Sequence, residues 1–366
     1  MIHLIRKLMK LNILLFVGVL LFTCRLSAQT LISGVVTDTA NVPIPFARVF
    51  LSQTTIGTLA NLNGEYSLTV PKGGNYELVV TSIGFVPYSQ YLSAIKGKEK
   101  INIKLNVQVY ALGQVTVKAK DLNRLRNYRQ FVESFIGNTF NSSFCKIENP
   151  DDIIVFRGPK DSILSAYSTN PIIIENKGLG YHLFYELEDF HRNLKSGHIQ
   201  YSGHCYFQEF EGSSSQKAKW QLARLLTYYG SKMHFLRAVY NDSLKENNFV
   251  IYESAKVSRN IKIYGEFVDI SVFYRNFNQG TVQLYSDSVI SINYTLSIPE
   301  LNFATHSQKT KIFSRSRISF SDTLQVYKNG QYFGPYDAIW KGDMGDDRVA
   351  EMLPYDFIPL LPVNEK

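Results

Sequence analysis

Charged side chains are scarce in this chain of 366 residues. Only 19% are Asp, Glu, Lys or Arg, against 45% hydrophobic and 13% aromatic. That balance excludes a disordered chain, which needs high charge and few aromatics, and it favours strands over helices. There is no block of Lys/Arg and no basic helix interleaved with aromatics, so nucleic acid is not an expected partner. The formal charge of +8 does not alter this, because Arg6, Lys7, Lys10 and Arg25 all lie before residue 30. Residues 30–366 then hold 35 basic against 31 acidic side chains. Long apolar runs are missing too. Leu11 to Phe22 is shorter than the ~20 residues that cross a bilayer as a helix.

Catalytic signatures are also absent. None of the seven His begins an H-x-x-E pair, and there is no H-E-x-x-H, G-x-S-x-G or P-loop. Gly178-Leu179-Gly180 lacks a third glycine. Ser93-Ala94-Ile95-Lys96 has the form S-x-x-K without its companion motifs. His198 and His204 share a strand face but would sit roughly 20 Å apart, and His182 and Glu186 roughly 13 Å apart. The run Gly342 to Asp347 departs from EF-hand spacing and reads as a turn capping a short helix at Arg348–Met352. The sequence calls for no cofactor and no metal.

What is present begins with a positive stretch, an apolar run and Ser27-Ala28-Gln29. Together these read as a signal peptide over 1–29. An uncleaved anchor helix is the second reading, disfavoured by the short run and by Arg25, and Leu21-Phe22-Thr23-Cys24 offers lipidation at Cys24 as a third, although Thr is a poor fit before the last position. Removing Cys24 leaves Cys145 and Cys205. An oxidising compartment permits them to pair, and a loop of about 60 residues would contribute roughly 4 kcal/mol. Two buried thiols are the other reading, since Cys205 alternates in phase with Ile199, Tyr201 and Phe207.

Residues 30–118 read as strands of period two. Ala47, Val49 and Leu51 share a face, as do Tyr66, Leu68 and Val70, then Tyr76, Leu78 and Val80, then Ile101, Ile103 and Leu105, with Val115 and Val117 closing the run. Asn63-Gly64 and Lys72-Gly73-Gly74-Asn75 are turns. The ordered set Gly34, Asp38, Pro45, Ala47, Val49, Gly64, Tyr66 and Gly84-Phe85 resembles the carboxypeptidase-regulatory-like domain. That resemblance implies a seven-stranded prealbumin-like β-sandwich that is an accessory and not a peptidase.

A linker helix is expected over 119–139, with Leu122, Leu125, Val132, Phe135 and Ile136 as its apolar stripe. Residues 140–353 read as an α+β domain: one large antiparallel sheet, including runs at 248–254, 259–274, 280–295 and 310–327, interrupted by one long helix. The helix is capped at Ser215, carries Trp220, Ala223, Leu226, Tyr229, Met233, Leu236 and Tyr240 on its apolar side, and kinks at Gly230-Ser231. The tail 354–366 carries Pro354, Pro359 and Pro362 and is expected to be extended. Cys145-Lys146-Ile147-Glu148-Asn149-Pro150, Glu175-Asn176-Lys177, Leu179-Gly180-Tyr181 and Tyr229-Gly230-Ser231 resemble exported Gram-negative proteins called carboxypeptidase-like regulatory domain-containing proteins. This implies an envelope location, periplasmic or associated with the outer membrane, and no activity.

One helical turn separates His234 from Arg237, and with Arg224 and Tyr228 they form a candidate anion or glycan site. The expected function is non-enzymatic: the sandwich as spacer or docking module, and the second domain binding an envelope protein or a glycan. A glycan- or peptide-binding module and a hydrolase of unrecognised type are the alternatives.

Overall fold

The computed structural model describes residues 30–71, 76–92, 98–108, 122–157, 162–254, 276–278, 280–285, 289–297, 311–333 and 338–360. The leader with Cys24, the turn at 72–75, Ser93 to Lys96, Val115 and Val117, the strand expected at 259–274 and the tail beyond 360 lie outside these residues.

The protein is mainly β. Its first part holds β1 (Thr30–Asp38), β2 (Arg48–Leu51), β3 (Gly57–Leu59), β4 (Glu65–Val70), β5 (Tyr76–Thr81), β6 (Tyr88–Leu92), β7 (Lys98–Lys100) and β8 (Ile103–Leu105). One sheet runs β4-β1-β7 with β8 also on β1, and the other runs β3-β2-β5-β6. Ile32, Val36, Val49, Leu51, Leu68, Leu78 and Val80 fill the space between them. Eight strands lie among the described residues, because the run ending at Leu105 is broken in two, both halves parallel to β1. Gly34 explains the break. The Ile101 carbonyl comes so close that a Cβ at position 34 would sit 1.8 Å from its oxygen. Asn63-Gly64 turns as expected, with Gly64 at φ +72.

The second part opens with α1 (Leu122–Phe135), then β9 (Cys145–Ile147), β10 (Ile153–Arg157), β11 (Ile163–Ser168), β12 (Ile172–Asn176), β13 (Tyr181–Asn193) and β14 (Ile199–Glu209). These strands form one sheet, β10-β11-β13-β12-β9, with β14 on the other edge of β13. Phe131 and Phe135 of α1 pack on Phe190 and Tyr185. The buried side of α1 differs from the expected stripe. Leu125 is 69% exposed, while Asn127 is buried and accepts a hydrogen bond from Arg157 Nε.

The single long helix is two helices, α2 (Ser214–Tyr228) and α3 (Lys232–Asn241). Ser213, not Ser215, caps the first, and Ser231 caps the second by accepting from His234 N. Gly230 takes φ +81 between them, so a break replaces the expected kink. The remaining elements are β15 (Phe249–Ser254), β16 (Asn276–Asn278), β17 (Thr281–Leu284), β18 (Val289–Ser297), β19 (Lys311–Ser319), β20 (Leu324–Tyr327), β21 (Tyr332–Phe333), β22 (Ile339–Gly342) and α4 (Asp343–Asp346). They build two further four-stranded sheets, β15-β18-β19-β22 and β16-β17-β20-β21. Among the described residues the expected large sheet is therefore three sheets around two cores.

Cys145 and Cys205 are free thiols, which corrects the proposed disulfide. β12 and β13 lie between their strands, a lateral separation of about 14 Å where a bridge tolerates less than ~7 Å between Cα atoms. The Cys145 thiol donates to Asn141 O, and Cys205 is fully buried. Burial pushes the Cys145 thiol up to about 12 and Cys205 well above the ordinary value. Alkylation without reductant is expected to modify Cys145 slowly and Cys205 only in denaturant, as read by peptide mass. Recovery of a Cys145–Cys205 cross-linked peptide would contradict this.

Candidate functional site

The sandwich does not hang free. Its sheet β3-β2-β5-β6 buries Phe50 and Val79 on the side away from its own core. That side lies on the outer face of β13 and β14. Phe50 meets Tyr206 at 5.6 Å, and the Arg48 guanidinium lies 4.0 Å over Phe184. Beyond β2 the chain adds to the open edge of β14: Gln53 N donates to Cys205 O, and Phe207 N donates to Thr54 O.

A polar cluster sits within this joint. His204 Nδ1 is 3.3 Å from Glu77 of β5, and its Nε2 is 3.0 Å from Glu188 of β13. Glu188 reaches the ring because it is the extra residue of a bulge, where pairing shifts between Leu187 and Asp189. Gly203 opposite has φ +155, and a Cβ there would meet Glu186 O at 2.1 Å. Burial pushes the Glu186 carboxyl up to about 7 against the pull of the Thr81 hydrogen bond, His204 and Arg48. Burial alone would lower His204, but the Glu77 hydrogen bond and the charges of Glu77, Glu188 and Glu186 together raise it.

Beside the joint, the C-terminal segment crosses from one part to the other. Tyr355 N donates to Gln53 O, and Asp356 accepts from both Thr55 N and Thr55 Oγ1. Arg237 of α3 binds the Tyr355 and Phe357 carbonyls at 3.1 and 3.0 Å. Gln221 of α2 donates to Leu360 O at 2.8 Å. Sheet, helix, sandwich loop and C-terminal segment thus border an open cavity of about 330 Å³, lined by residues that include Thr55, Tyr181, Glu209, Arg224, Asp356 and Phe357.

The turn at 177–180 leads into Tyr181, which lines the cavity. Asn176 Oδ1 accepts from Leu179 N, and its Nδ2 donates to Ala350 O. Trp220 Nε1 donates to Lys177 O, and its ring occupies the space a Cβ at Gly180 would need, 2.4 Å away. Arg224 donates to Leu179 O at 2.8 Å and Gly180 O at 3.2 Å, pairs with Glu209 at 2.9 Å, and lies 3.9 Å over the Tyr181 ring.

Of the four residues expected to form an anion site, only Arg224 lines this cavity. Tyr228 packs behind Phe357 at 5.9 Å between ring centres, and Arg237 is committed to three carbonyls, including Asn329 O. His234 lies in the core. Its Nδ1 accepts from Gly230 N, its Nε2 donates to Asn247, and Phe249 stacks 4.8 Å away. Burial pulls it down to about 4. The sequence reading missed Tyr181, Glu209, Thr55 and Asp356.

One further constellation is Ser165, His191 and Asp189. The serine hydroxyl is 2.9 Å from His191 Nδ1, and His191 Nε2 is 2.9 Å from Asp189. These are neighbours on paired strands whose N–H groups serve the sheet ladder, so no adjacent donors form an oxyanion hole. No helix among the described residues is long and apolar enough to cross a membrane. Among them, too, no group of three or more His, Cys, Asp or Glu could hold a metal.

Residues 32–117 match the family model of the CarboxypepD_reg-like domain, so the protein contains a carboxypeptidase-regulatory-like domain and the sandwich is that domain. No curated protein matches the chain. Among solved structures, two type II cohesin–X-dockerin complexes of Acetivibrio cellulolyticus are similar. The C-terminal interface mutant shows 17% identity over 31% of this chain and 77% of its own, with a TM-score of 0.20. The N-terminal interface mutant shows 15% identity over 29% and 74%, with a TM-score of 0.19. A 9R-lipoxygenase from Cyanothece PCC8801 shows 8% identity over 62% and 50%, with a TM-score of 0.18. Scores this low carry no argument about fold or function.

Proposed function

We propose that this is a non-enzymatic exported protein of the cell envelope, in which the sandwich is a fixed docking module and the second part binds a protein partner. The observation that carries this reading is the joint. Phe50, Val79 and Arg48 lock the accessory domain to β13–β14, and Thr55 makes it one wall of the cavity. A sandwich used only as a flexible spacer would need no such face. Its regulatory-like family is not itself catalytic. The peptide-binding alternative draws on the same cavity, whose walls combine Phe357, Ile358 and Leu360 with a few polar groups. The Ser165–His191–Asp189 row is the one observation that favours a hydrolase.

One experiment separates these readings. The tagged full-length protein is cross-linked in Gram-negative cells, captured, and treated in parallel with a fluorophosphonate probe. Enrichment of an envelope protein with no label on Ser165 is the expected result. Label on Ser165 that disappears in His191→Ala would replace the proposal with a hydrolase.

A further inference from the structure

Tyr181 is only 1% exposed, lines the cavity, and its hydroxyl has no hydrogen-bond partner among the described residues. Its oxygen is not among the fully enclosed polar atoms without a partner, so it opens onto the cavity and offers a hydrogen-bonding position to a group that enters there. Burial raises its ionisation well above the ordinary phenol range, with Arg224, Glu209 and Asp356 as its charged neighbours. It is thus a neutral phenol able to donate or accept.

The charges around it have a definite balance. Glu209 and Asp356 supply two carboxylates against the single guanidinium of Arg224. Arg224 already donates to Leu179 O, Gly180 O and Glu209 Oε1, and its charge is paired with Glu209. Asp356 accepts from Thr55 N and Thr55 Oγ1, one bond to each carboxylate oxygen, which leaves further lone pairs. The acceptors that remain face a cavity whose other walls are Pro354, Phe357, Ile358 and Leu360.

From this arrangement we infer that the cavity binds an alkylammonium group, its charge held by Asp356, Glu209 and the Tyr181 hydroxyl and its carbon stem lying on Phe357 and Ile358. An anion would meet two carboxylates and no free cation. A bare metal ion would lack a ligand set, and the apolar wall would be unused. The same chemistry belongs to a free diamine and to a lysine side chain on a partner, and the inference rests on the binding-protein reading only for the second source.

The test is titration calorimetry on the purified full-length protein with four probes: 1,5-diaminopentane, an acetylated and amidated lysine tripeptide, 1-pentanol and pentanoate. The ammonium probes are expected to bind at least ~10-fold more tightly than 1-pentanol, with pentanoate silent. Tyr181→Phe, which keeps the ring and removes an unpartnered group, is expected to weaken them by about 10-fold. Asp356→Asn, which still accepts from Thr55, is expected to do the same or more. Binding of the tripeptide points to a protein source, and binding of the diamine alone to a small molecule; both support the site. Equal affinity for 1-pentanol, tighter pentanoate, or ammonium binding unchanged in Tyr181→Phe overturns it. A protein that captures an envelope partner yet shows any of those three results loses this site and keeps the proposed function.

Discussion

Arg224→Met is expected to destabilise the second part of the protein by about 2–5 kcal/mol, because two buried carbonyls lose their donor at a cost of about 1–3 kcal/mol each. The side chain is 7% exposed. Methionine keeps most of its length and can still lie against Tyr181. It cannot donate to Leu179 O or Gly180 O, both of which Arg224 now satisfies. With the turn at 177–180 loosened, Trp220 also loses its seat on Gly180. Urea unfolding followed by tryptophan fluorescence reads the change, because Trp220 contacts the turn directly. The carboxylate partner is a control: Glu209 has a side chain 56% exposed, and Glu209→Gln is expected to cost about 1 kcal/mol or less. Equal losses for the two variants would mean that the ion pair, and not the two carbonyl bonds, is what Arg224 contributes.

The second large effect is a pH dependence at the joint. Glu186 titrates near 7 in the folded protein, up from an ordinary carboxylate value of 4.5. Between those values the folded state holds more protons than the unfolded chain, so stability falls as pH rises. His204 acts in the same direction, since its raised folded value gives stability that is complete below its ordinary 6.5 and lost as pH climbs through the raised value. Asp347, pushed up to about 6, adds to the fall at lower pH, and His234, pulled down to about 4, opposes it up to 6.5. A single curve for the wild type therefore mixes signs, and the variant Glu186→Gln isolates the joint. Glutamine still meets Thr81, and its neighbours Arg48, Ser52, Glu77, Glu188, His204 and Tyr206 are unchanged. The variant is expected to match the wild type at pH 5 and to exceed it by about 2–3 kcal/mol at pH 8, read from urea midpoints at both values. A gap that is the same at both pH values would show that Glu186 is ionised at no cost within the joint.

The sandwich was legible because one of its faces is wet. Tyr66, Leu68 and Val70 of β4 alternate with exposed partners, and that alternation is what a period-two reading detects. β5 reads less clearly, because Val79 is buried outward against another sheet and the alternation disappears. The break at Gly230 was read as a kink for a similar reason: apolar spacing continues from Leu226 through Tyr229 to Met233, and only the Ser231 cap shows that a new helix starts. In α1 the spacing favoured Leu125, but the buried side is set by Arg157 and Arg192, which reach Asn127 and Ser134. The cavity was the least legible part. Thr55 and Asp356 are 301 positions apart in the chain. Neither belongs to a motif, and Asp356 sits in a segment whose prolines suggested a loose tail. Their convergence depends on how two domains pack, which no local pattern encodes.

The same joint sets an order in time. The sandwich domain is complete once residue 117 has been made, but Phe50 and Val79 then lie bare until β14 has been synthesised, about 90 residues later. At ~5–20 residues per second that interval is roughly 5–20 s. The bonds from Tyr355 and Asp356 to the Gln53–Thr55 loop wait for about 150 residues more. The nascent chain thus carries an early-folded domain with an uncovered apolar face, and a segment made about 300 residues after the Gln53–Thr55 loop fastens that loop in place.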